Sequence, residues 1–230
     1  MKHIVLINPN TSAKTTAMMT GIARHYLPAG FFIEGMTAQR GAPMITDPEA
    51  LAASENGVVE MGISQKNRAG GMIVSAFGDP GLQRLRMLLD VPVTGLCEAS
   101  MLEAAEGGRR FGIATVTPQL ADSFSIQAEK LRLGHAFVGN RLTCGDPEQL
   151  AADPERLRTA LETAVRECFE LDGAEAVIIG GGPLGQAAEV LQHRFSAPVI
   201  APIRSAVRLL VAKMNAGDDA AAALMDPARS

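Results

Sequence analysis

The chain has 230 residues, enough for one large domain or for two small ones sharing a cleft. It is 47% apolar and 20% charged with a formal net charge of -4, the balance of a soluble globular protein with no cationic field for a nucleic-acid backbone. With no Trp and a single Tyr, it also has little aromatic material for stacking on bases or sugars.

The first apolar run, Ile4-Val5-Leu6-Ile7, is too short for a signal peptide or a membrane span, so a cytoplasmic location is expected. It predicts a strand ending at Asn8-Pro9-Asn10-Thr11-Ser12. Met18, Ile22 and Tyr26 then recur at helical spacing, with Thr11 or Ser12 as the N-cap. Asp47-Pro48-Glu49 reads as the cap and first turn of another helix, since Pro48 stands where its missing N–H costs nothing.

The stretch "GMIVSAFGDPGL" from Gly71 predicts a buried strand running into a glycine-rich turn. Asp153-Pro154-Glu155 repeats the helix-start signal for a helix through about Leu171. Strands alternating with helices in this way predict βα units around a mostly parallel sheet. Cys97, Cys144 and Cys168 are odd in number and show no CxxC spacing, which argues for reduced thiols. The four histidines form no local metal-binding pattern.

An internal repeat organises the whole chain. "IVLINPNT" from Ile4 matches "FGIATVTP" from Phe111, "GMIVSAFGDPG" from Gly71 matches "AVIIGGGPLG" from Ala176, and "VPVTGL" from Val91 matches "APVIAP" from Ala197. The three offsets are nearly equal, which predicts two similar α/β halves. The expected division is 1–96 with about 206–230 as the first half, and 97–205 as the second.

In such folds ligands sit at the carboxyl ends of the strands, so the turns at 8–12, 75–81, 115–118 and 180–185 should face one crevice. Their small residues let backbone N–H groups approach an anion closely. None carries a dinucleotide fingerprint or a phosphate-loop lysine, which disfavours nucleotides.

"INPNTS", "FGDPGL", "PVTGLCEA" and "RFGIATVTP", spread over nearly the whole chain, resemble the aspartate/glutamate/hydantoin racemase superfamily, and most the hydantoin and allantoin racemase branch. The resemblance implies two pseudosymmetric Rossmann-like halves facing a central cleft, no cofactor, a small anionic or ureide-like ligand and, by extrapolation, a homo-oligomer. It also implies a pair of thiols acting from opposite faces of an acidic carbon. A helix N-terminus can lower a thiol's pKa enough for such work near neutrality.

Here the first thiol position is Ala76 and the second is Gly181, so both thiols are missing. A relative that decarboxylates arylmalonates keeps one. Cys97 falls on neither position, and it reads as a packing thiol or as a group facing the site.

Among the remaining residues, Asp79 and Glu98 are the candidate acid/base groups, each with a capping or solvated role as the plainer reading. Asn8, Asn10, Thr11, Thr115 and Thr117 are candidate ligand contacts that also suit turn duties. Phe77 reads as pocket wall, and Gly78, Gly181 and Gly182 as exposed backbone or room for a ligand. Ser75 sits next to the empty position with no visible Ser-His-Asp arrangement.

Three functions follow. The first is an isomerase or lyase acting on a small carbonyl-containing acid or cyclic ureide by other groups. The second is an inactive ligand-binding or regulatory homologue. The third is a racemase altered by experiment, which suits Ala76 better than Gly181.

Overall fold

The computed structural model describes residues 1–224. Expectations for 225–230 lie outside the described residues. The first half runs β1 (Lys2–Asn8), α1 (Ala13–His25), β2 (Phe31–Thr37), α2 (Pro48–Ala53), α3 (Glu55–Ser64), β3 (Gly71–Val74), α4 (Leu82–Leu88) and β4 (Val93–Gly95), after which comes α5 (Leu96–Ala104). The second runs β5 (Phe111–Thr115), α6 (Ala121–Lys130), β6 (Phe137–Leu142), α7 (Pro147–Ala152), α8 (Pro154–Glu170), β7 (Ala176–Ile179), α9 (Gly185–Leu191) and β8 (Val199–Ile200). The last helix, α10 (Pro202–Leu224), returns to pack on α5, β3 and β4.

The repeat has a direct structural counterpart. The sheets are ordered β2-β1-β3-β4 and β6-β5-β7-β8, every pairing is parallel, and β1, β3 and β4 match β5, β7 and β8. The helix starts follow their capping residues. Ser12 accepts from the Thr15 N–H, Asp47 from the Ala50 N–H and Asp153 from the Arg156 N–H.

Strand alternation sorts the core. Ile4, Leu6 and Ile73 of the first sheet share one buried cluster with Phe111, Ile113 and Ile178 of the second, and Leu96 and Met101 of α5 belong to it as well. Val5, Ile7, Met72 and Val74 face an outer core under α3 and α4. Val177 and Ile179 face its counterpart in the second half, where Leu157 and Leu161 of α8 pack. Sheets covered on both faces need near-continuous apolar strands, which is why Ile4-Val5-Leu6-Ile7 does not alternate with polar residues. Each such side chain contributes roughly 1.5–3 kcal/mol by burial.

Candidate functional site

The carboxyl ends of β1, β3, β5 and β7 converge on one cleft, lined by Asn10, by Ser75, Ala76 and Phe77, by Val116 and Thr117, and by Gly180, Gly181 and Gly182. The halves nearly touch here. A Cβ on Gly182 would lie 2.9 Å from the Ser75 carbonyl oxygen and 2.9 Å from Met19 Sδ, so only glycine permits the approach. Met44, Ile45 and Leu51, from the segment after β2 and from α2, close the cleft from outside. Phe77 and Phe124 meet edge to face at 5.2 Å between ring centres and form an apolar wall. About 40 Å³ of free space remains, room for roughly one or two waters.

Ala76 and Gly181 both line this space. A side chain on Gly181 would be crowded as the cleft stands. Its Cβ would lie 3.0 Å from Leu184 Cγ and 3.1 Å from Cδ1, so Leu184 would have to shift by a few tenths of an ångström to admit one.

The turn after β1 is built by Asn8, which is fully buried. Its Nδ2 donates to Asn10 Oδ1 at 2.8 Å and to Thr16 Oγ1 at 2.9 Å, and its Oδ1 accepts from the Asn10 N–H at 3.2 Å. Asn8 therefore shapes the turn and does not line the cleft. Asn10 Oδ1 also accepts from the Ser12 N–H at 2.9 Å, which fixes the orientation of its amide. Asn10 Nδ2 has no partner among the described residues, and the side chain borders the cleft. Thr11 holds the covering segment through its N–H, which donates to the Ala42 carbonyl at 3.1 Å, and it does not reach the cleft.

The second half mirrors this arrangement with hydroxyls. Thr115 donates its only hydroxyl proton to the Gly180 carbonyl at 2.7 Å. The 3.1 Å contact between the Thr115 and Thr117 hydroxyls must then be donated by Thr117, which leaves Thr117 Oγ1 with lone pairs at the cleft. Thr115 is a fully buried positioning group. The cleft thus presents a side-chain amide donor, Asn10 Nδ2, and a hydroxyl acceptor, Thr117 Oγ1. Ser75 Oγ donates to the Ile7 carbonyl at 2.9 Å, a strand-bracing role.

Asp79 and Glu98 stand elsewhere. They border a separate cavity of about 340 Å³ behind the turn that follows β3, together with Gly78, Arg84, Gln127 and Lys130. Asp79 Oδ1 accepts from the Cys97 N–H at 2.9 Å and Oδ2 from the Glu98 N–H at 2.7 Å, capping α5. Burial pushes its carboxyl up to about 7, against the two N–H donors that favour the charged form. Glu98 is held by Arg86, with Nη1–Oε1 at 3.0 Å and Nη2–Oε2 at 2.5 Å. Cys97 is fully buried and does not line the cleft, and burial, then the Asp79 charge, push its thiol well above its usual range. It is a packing thiol. Among the described residues, those lining the cleft include no Asp, Glu, His, Cys, Lys, Arg or Tyr.

Sequence reasoning missed Met44, Ile45 and Leu51. The available signal was a pair of apolar residues, Met44 and Ile45, stranded between a strand and the Asp47 cap with no periodicity to bury them.

Comparison with known proteins agrees with this geometry. The family described as Asp/Glu/Hydantoin racemase matches residues 4–210. The chain is 29% identical over 214 residues to a hydantoin racemase of Paenarthrobacter aurescens, covering 90% of this chain and 89% of the relative. The fold superposes on an allantoin racemase from Klebsiella pneumoniae with a TM-score of 0.89 at 25% identity, covering 94% of this chain and 89% of that one. An allantoin racemase from Pseudomonas fluorescens, at 22% identity and a TM-score of 0.88, covers 94% and 92% and shares the fold. The chain therefore belongs to the Asp/Glu/hydantoin racemase family, with alanine and glycine at the two strand ends where the resemblance implies thiols.

Proposed function

We propose that the cleft binds a small carbonyl-containing acid or cyclic ureide and acts on it, as an isomerase or lyase, with neither thiol and no cofactor. Family membership supports the general racemase and isomerase class of activity. The observation that carries the ligand type is the presence of both Asn10 Nδ2 and Thr117 Oγ1 in a mainly apolar cleft. One donor and one acceptor complement a carbonyl beside an N–H, the unit that a ureide repeats. The cleft lining supplies no cation to balance a buried carboxylate, so a neutral ligand is favoured over a dianion.

Because the lining has no titratable side chain, two-base proton exchange is not available to it as it stands. The proton has to be carried by water or by a group of the ligand. The same observation favours a second reading, in which the cleft binds its ligand without turnover.

Calorimetry with hydantoin, substituted hydantoins and allantoin, run beside polarimetry of the same enantiopure compounds, separates the two. Saturable binding with decay of optical rotation supports turnover, and saturable binding with stable rotation supports the binding reading. No binding to any of these compounds removes the ureide assignment.

A further inference from the structure

The turn after β3 supplies Ala76 and Phe77 to the cleft and then turns away through Gly78, Asp79, Pro80 and Gly81. Asp79 is 6% exposed and takes a backbone φ of 52°, in the left-handed region that few side chains adopt. Its N–H donates to the Ala76 carbonyl at 3.1 Å, and its two carboxyl oxygens accept from consecutive N–H groups at the start of α5. One residue therefore ties the cleft wall, through its backbone, to a helix, through its side chain. Asp79 also borders the separate cavity of about 340 Å³.

We propose that Asp79 is a positioning residue with two settings: ionised, it clasps both N–H groups of α5 and fixes the Ala76–Phe77 wall; protonated, it holds one of them more weakly and the wall relaxes. An ionised carboxylate accepts at both oxygens, whereas a carboxylic acid has one oxygen that must donate a proton. That hydroxyl oxygen is a much poorer acceptor than a carboxylate oxygen, so the clasp bond it makes to its N–H is weakened. The position of the carboxyl group's titration near neutrality places the exchange within ordinary pH.

The groups around Asp79 act in both directions. The Glu98 charge of α5 opposes its ionisation, whereas the Cys97 and Glu98 N–H groups and Arg86 of α4 favour it. Arg84 of α4, Glu55 of α3 and Lys130 of α6 border the cavity. The device holds whether or not the cleft turns over a ligand.

Hydrogen exchange of the Cys97 and Glu98 amides in the isotopically labelled full chain tests it, with rates corrected for the intrinsic pH dependence of exchange. The expected result is a loss of protection of about tenfold or more at one of the two amides as pH falls from about 8.5 to about 5.5. The midpoint should coincide with the Asp79 carboxyl ¹³C titration. The Asp79→Asn protein, whose amide nitrogen faces one N–H at every pH, should show the weaker protection throughout with no midpoint. Protection of both amides that does not change with pH in the unsubstituted chain overturns the proposal, as does the same midpoint in Asp79→Asn. The carboxyl titration and the amide midpoints of the unsubstituted chain decide the matter even if that variant does not fold.

Discussion

The Asp79 carboxyl group occupies the space where a side chain on Gly95 would stand. A Cβ on Gly95 would lie 2.1 Å from Asp79 Cγ and 2.3 Å from Oδ1. Gly95 ends β4 and is the N-cap of α5, so its missing side chain lets a distant carboxylate serve as the cap. Gly95→Ala should expel Asp79, leave both N–H groups without their acceptor and cost about 2–4 kcal/mol in denaturant unfolding. Gly95→Ala and Asp79→Ala should be strongly non-additive, because each removes the same interaction.

Stability should fall as pH rises through neutrality. A carboxyl that titrates near 3.9 in the unfolded chain is pushed up to about 7 in the fold, so the folded state holds its proton more tightly. The resulting stabilisation is complete below about pH 4 and is lost as pH rises through about 7. Compared with Asp79→Asn, the unsubstituted chain should lose at most roughly 4 kcal/mol over that interval, measured by urea unfolding at each pH.

Glu98 is predicted to matter for stability and not for proton transfer. Its side chain is 11% exposed and its Arg86 partner 25%, so removing one charge leaves the other poorly solvated. Glu98→Gln should cost about 2 kcal/mol, below the range for a fully buried pair. If the cleft turns over a ureide, kcat should be unchanged in the folded fraction. A selective loss of kcat at unchanged stability would falsify this assignment.

The donor and acceptor in the cleft make separable contributions to affinity. Asn10→Ala and Thr117→Val should each weaken ureide binding by about fivefold to tenfold, the cost of one neutral hydrogen bond. Thr117→Ser should retain most of the affinity, since it keeps the Oγ lone pairs. Calorimetric Kd values for the three proteins provide the comparison.

Restoring a thiol should be easy at one position and hard at the other. Ala76→Cys should leave Tm nearly unchanged. Gly181→Cys forces Leu184 out of place and should cost about 1–3 kcal/mol. Adding Leu184→Ala to Gly181→Cys should relieve the crowding, although the lost Leu184 packing will offset part of the gain.

The repeat, the strand ends and the helix starts were legible in the sequence because each has a local signature. Asp47 and Asp153 sit directly before prolines, and the matched landmarks in the two halves are apolar strands at a nearly constant offset. What could not be read was the direction of individual side chains. Asp79 lies three residues from Ala76, but its left-handed backbone turns it behind the wall toward a helix start eighteen residues downstream of it. Asn8 and Asn10 look equivalent in "NPN", yet one is consumed by the turn and the other keeps a free donor. The apolar cover of Met44 and Ile45 has no period, and only the packed fold assigns it a place.

The cluster that unites both sheets also governs how a molecule enters. Ile4 and Leu6 from one half and Ile113 and Ile178 from the other are fully buried together, so a hinge that swung the halves apart would wet the centre of the protein at roughly 25 cal/mol per Å² exposed. Lifting the 39–46 strap uncovers little beyond Met44 and Ile45, which are already only partly buried. Opening the cleft at its outer cover therefore exposes far less apolar surface than parting the two sheets would.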